Sequence, residues 1–155
     1  ICLGAERQFN HDTDFEEAPR GLERADHAIA MAAMFLSEHI GVRAIVALTE
    51  SGGTARFLSR FRAPSPVFAL SRHADARRRM ALMRDVTPIA FDSRGMASRD
   101  AARGAIRQLF DAAHLVPDDR VIFTSGDTME QHGATNTLRL LQVGPDGSAQ
   151  GLGEL

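Results

Sequence analysis

The densest group of residues able to do chemistry is Thr49, Glu50, Ser51, Gly52, Gly53 and Thr54. Three hydroxyls and two glycines in six positions offer O–H and backbone N–H donors to an anion. The pattern around them strengthens that reading, since an apolar run ends just before Thr49 and helical spacing resumes at Phe57, Leu58 and Phe61. A helix N-terminus placed there carries unpaired N–H groups and the positive end of the helix dipole. An equally good reading is structural: Ser51 or Thr54 caps the helix, and Gly52-Gly53 makes the turn. Asp92 and Asp127 also follow candidate strands and could face one crevice as an acid–base pair, although turn and capping roles explain them as well.

Other chemistries lack their residues. All 18 basic residues are arginine, which removes Schiff-base chemistry, a P-loop lysine and a lysine general base. Cys2 is the only cysteine, so neither an intrachain disulfide nor a thiolate zinc cluster forms. Six scattered histidines show no metal-ligand spacing. His27 and His114 read as structural, whereas His73 and His132 fall in loops near the expected strand tips. The nucleophile elbow, the dinucleotide fingerprint and the P-loop motif do not occur. Net charge of −2 and a pI near 6.3 argue against a nucleic-acid partner, and Arg77-Arg78-Arg79 reads as a solvated helix face. No apolar run approaches the roughly 20 residues a membrane span needs, so a cytoplasmic protein is expected. No residue is assigned a catalytic role.

The elements that position these residues alternate. Residues 44–48, 67–70, 86–91 and 121–123 read as strands, and residues 137–143 as a fifth. Residues 21–40 have a wide apolar stripe (Ala25, Ile29, Ala33 and Leu36, widened by Ala28, Met31 and Met34) and read as a helix buried on more than one side, ended by Gly41. Further helices are expected over 75–83, with Met80, Leu82 and Met83 on the apolar side, and over 98–114. Pro88 places its strand at a sheet edge. No helix fits between the fourth and fifth strands, and a parallel crossover needs about a dozen residues; the fifth strand is therefore expected to run antiparallel. The fold class is α/β, with a mostly parallel sheet covered on both faces. Residues 144–155 are Gly-rich and read as a flexible tail.

Three segments in this order resemble one known family: A-L-T-E-S-G-G-T-A at 47–55, P-V-F-A-L-S-R at 66–72 and G-A-T-N-T at 133–137. They are similar to the C-terminal domain of pyruvate kinase, with I-C-L-G-A-E at 1–6 resembling the helix that leaves the catalytic barrel. The T-E-S-G-x-T form looks closest to bacterial members activated by AMP or sugar monophosphates. The resemblance implies a three-layer α/β/α domain with five strands, the last antiparallel, spanning residues 21–143 behind a connecting helix and linker at 1–20. It also implies effector phosphate binding by Thr49, Ser51, Gly52, Gly53 and Thr54, with Gln131, His132 and Gly133 in a loop that closes over the effector. A homotetramer follows from it too, as do contacts with the enzyme's own barrel domain. Mg and K belong to that barrel, and no cofactor is expected in this segment. On this expectation the segment alone does not transfer phosphate from phosphoenolpyruvate to ADP. Two alternatives stand beside it: a stand-alone α/β enzyme acting on a phosphorylated metabolite, and an assembly-only domain without effector binding.

Overall fold

Five successive apolar residues form β1 (Ala44–Leu48), and all five are buried. A strand buried on both faces needs no polar alternation. Ile45 and Ala47 point into one apolar cluster, and Ala44, Val46 and Leu48 into another. This computed structural model describes residues 24–126 and 134–152. Around β1 run α1 (Ala25–Ile40), α2 (Gly53–Arg60), β2 (Val67–Ser71), α3 (Ala74–Met80), β3 (Val86–Ala90), α4 (Ser98–Asp111), β4 (Arg120–Gly126), β5 (Thr135–Val143) and β6 (Ala149–Gln150).

The strands form one sheet in the order β3-β2-β1-β4-β5-β6. β1 pairs in parallel with β2 and β4, and β2 in parallel with β3. β5 runs antiparallel to β4, as the short connection requires. The cluster containing Ile45, Ala47 and Ile122 takes in Met31 and Met34 of α1, Leu58 of α2 and Met80 of α3. The opposite cluster takes in Ala101, Ala105, Ile106 and Leu109 of α4. Helices thus cover both faces, in the three layers expected from the alternation of elements. Pro88 sits in the edge strand β3, where a missing N–H is tolerated.

Several boundaries differ from the sequence expectation. The buried stripe of α1 is Ala30, Met31, Ala33, Met34 and Ser37, while Ala25, Ala28 and Phe35 face solvent. Its second apolar side consists mostly of alanines, whose small side chains cost little when exposed. Gly41, with φ +64, ends the helix as expected. α3 stops at Met80; only Ala76 and Met80 are buried, and Leu82 is exposed. The sheet has six strands rather than five. Beyond Val143 the chain turns through Gly147 (φ +78), pairs Gln150 with Gln142, and buries Leu152 against the α4 face. That segment had read as a tail because a two-residue strand leaves almost no periodic signal. The connecting segment at 1–20, Asp127 of the possible acid–base pair, and the loop residues Gln131, His132 and Gly133 lie outside the described residues. No described helix is long and apolar enough to cross a membrane.

Candidate functional site

The sheet order reverses between β1 and β4, because the chain moves outward to β3 and returns through α4 to the other side of β1. Ligands of open α/β sheets gather at the carboxyl ends of strands at such a switch point. The turn from β1 into α2 lies there. Thr49 extends the β1–β2 pairing, its N–H donating to the Leu70 carbonyl at 3.0 Å. Its Oγ1 then accepts from the Gly52 N–H at 3.0 Å and closes the turn. Gly52 takes φ +87, and a Cβ there would lie 2.9 Å from Met80 Cγ. Both facts call for glycine at this position.

Neither Ser51 nor Thr54 caps α2. Thr54 Oγ1 instead pairs with Thr135 Oγ1 at 3.0 Å, joining the start of α2 to the start of β5 across 81 residues. No described side chain accepts from the N–H groups of Gly53, Thr54 or Ala55, the first residues of α2. Ser51 is half-buried and Gly53 exposed, so the turn presents one hydroxyl and the Gly53 backbone to solvent at a helix N-terminus. Thr49 and Thr54 are buried behind them.

Charged groups surround the turn. The Glu50 side chain is 10% exposed and accepts through Oε2 from Arg72 Nε at 3.2 Å and from His73 Nε2. Ser71 Oγ donates to the Glu50 carbonyl at 3.4 Å and accepts from the His73 N–H at 3.2 Å. The β1 turn is thereby tied to the tip of β2. From α3, Arg77 Nη1 donates to the Ser71 carbonyl at 2.8 Å, and Arg79 Nη2 reaches the Ser51 carbonyl at 3.5 Å. At the tip of β3, Arg94 Nε donates to both carboxylate oxygens of Asp92 at 3.0 Å. These side-chain bonds, the Arg94 N–H and the nearby Arg72 charge pull the Asp92 carboxyl down to about 2. Such a carboxylate stays ionised and holds a proton too weakly for acid–base work near neutrality; Asp92 is an ion-pair partner, and its proposed acid–base role is withdrawn.

His27 stacks on Phe57 with centroids 4.5 Å apart, and His114 tilts against Phe68 at 4.9 Å, both packing roles. His73, expected in a loop, is the one described histidine in contact with the turn. Among the described residues no three His, Cys, Asp or Glu side chains gather as a metal site would require. The sequence does not reveal Arg79 and Thr135 as neighbours of the turn, nor that Glu50 pairs with Arg72 and His73. Thr135 stands in the G-A-T-N-T segment, but its pairing with Thr54, 81 residues away, leaves no local trace. Arg79 was read with its neighbours as a solvated face.

The family model for the pyruvate kinase alpha/beta domain matches residues 27–141, from within α1 to within β5. The chain belongs to the pyruvate kinase C-terminal alpha/beta domain family. It is 42% identical over 144 residues to pyruvate kinase II of Salmonella typhimurium and 38% identical to a pyruvate kinase of Buchnera aphidicola, in each case over 92% of this chain and 30% of the relative. Similarity extends to a pyruvate kinase of Staphylococcus saprophyticus, at 31% over 82% of this chain and 22% of the relative. The chain thus spans under a third of the length of these relatives. In this pyruvate kinase domain the phosphate-turn candidates Thr49, Ser51, Gly52, Gly53 and Thr54 fall inside the matched region, at the switch point of the sheet.

Proposed function

We propose that this domain binds a phosphorylated small-molecule effector at the Thr49–Thr54 turn and serves in assembly of pyruvate kinase. The observation that carries the reading is the open N-terminus of α2 at the sheet's switch point, with Ser51 beside N–H groups that no described side chain caps. Ser51 and the amides of Gly53 and Thr54 hold the phosphate, while Thr49 and Gly52 set the turn's shape. AMP or a sugar monophosphate is the effector class. The loop with Gln131, His132 and Gly133 closes over the bound ligand. In the full-length enzyme, a cytoplasmic homotetramer, the adjoining barrel converts phosphoenolpyruvate and ADP to pyruvate and ATP with Mg and K. This chain supplies regulation and subunit contacts, and has no turnover of its own.

One observation favours an assembly-only domain. Thr49 Oγ1 already accepts from the Gly52 N–H and Thr54 Oγ1 is paired with Thr135 Oγ1, so the turn is partly satisfied without a ligand. Thermal melts of the chain with AMP, ribose 5-phosphate, glucose 6-phosphate and fructose 1,6-bisphosphate separate the two. A ligand specific for the folded state adds about 2.7 kcal/mol at a hundredfold excess over its dissociation constant. Stabilisation by a monophosphate, lost in Ser51→Ala while the unliganded melt is unchanged, supports the effector site. No stabilisation by any of them at millimolar levels leaves the assembly-only domain.

A further inference from the structure

The turn's own donors are dipoles: one open hydroxyl and the first N–H groups of a helix. A phosphate monoester brings a charge of about −1.5 to −2 at neutral pH, and the turn's one ionised side chain, Glu50, is negative. Arg72 and His73 are committed to that carboxylate. Arg78 is paired with Asp75 at 2.9 Å, and Arg77 is bound to the Ser71 carbonyl. Arg79 differs from all of these. It is exposed, has no carboxylate partner among the described residues, and touches the turn through a single 3.5 Å contact to the Ser51 carbonyl. A contact that long is weak and easily exchanged.

Its anchorage is firm all the same. The next residue, Met80, is fully buried and packs directly beneath Gly52, so the α3 backbone is fixed against the turn. The Arg79 stem therefore starts from a set position, and its guanidinium fork suits two phosphate oxygens at once. We propose that Arg79 is the cationic contact by which the turn selects a phosphomonoester dianion over a singly charged phosphodiester. This rests on the reading of the turn as a phosphate site.

Calorimetric titration of the 155-residue chain with ribose 5-phosphate, and with its methyl phosphodiester, tests the proposal. Arg79→Gln is expected to weaken ribose 5-phosphate binding about tenfold and the diester at most about threefold, so the preference for the monoester falls. Arg79→Lys keeps part of that preference, because the charge remains while the fork is lost. Arg78→Gln binds as the parent does, and the thermal melts of all variants coincide. Parent-like monoester affinity in Arg79→Gln overturns the proposal and leaves the phosphate site standing. A parent chain that binds neither ribose 5-phosphate nor inorganic phosphate overturns both.

Discussion

Asp92 and Arg94 show how local contacts decide what a residue can do. From its position after a strand, Asp92 was eligible for acid–base chemistry; the fork of Arg94, two residues on, does most to remove it from that role. The folded carboxyl titrates at about 2, below its ordinary 3.8. A depressed acid stabilises the fold above its unfolded value and loses that contribution as pH falls through the folded one. NMR titration of the Asp92 carboxyl should give a midpoint near 2, and Arg94→Gln should move it toward 3.8. Thr124 offers the opposite case: it is fully buried, and its Oγ1 has no hydrogen-bond partner among the described residues. Replacing a buried unsatisfied hydroxyl with an isosteric methyl removes a desolvation cost, so Thr124→Val should raise unfolding free energy by about 1 kcal/mol in urea melts. Part of the candidate site was legible at this scale. Hydroxyls, glycines and helical spacing marked residues 49–54, yet the bonds of Thr49 and Thr54 could not be read there. A hydroxyl has several equivalent partners locally, and Thr54 found one on a distant strand.

At the scale of elements, α2 and α3 act through one point of contact. Met80 fills the space a Cβ on Gly52 would need, and Gly52 holds a left-handed backbone. Gly52→Ala should therefore cost about 1–3 kcal/mol in chemical denaturation, combining backbone strain with displacement of Met80. Pairing it with Met80→Ala, which opens the space, should make the two effects less than additive. The strands and their parallel pairing were readable because β1 and β2 are continuous apolar runs buried on both faces. Pro88 placed β3 at the edge for an equally direct reason. The face of α1 and the end of α3 were harder, since alanine fits a core or a surface and Leu82 is apolar yet exposed. β6 was illegible because two residues paired by a turn carry no period.

At the scale of the whole molecule, the fold and the proposed site meet in the turn after the central strand β1, at the sheet's switch point, buttressed by α3 and tied to β5. Membership in the pyruvate kinase alpha/beta domain family accounts for the architecture from α1 to β5. The reading proposed for that turn is regulatory, with a phosphorylated effector bound at the N-terminus of α2. Titration of the ¹⁵N-labelled chain with ribose 5-phosphate, followed by amide chemical shifts, tests this most directly. The account predicts saturable shifts that are largest at Gly52, Gly53, Thr54 and Ala55, with smaller ones along α2. Saturable shifts centred on another part of the sheet, or none at millimolar ligand, would contradict it.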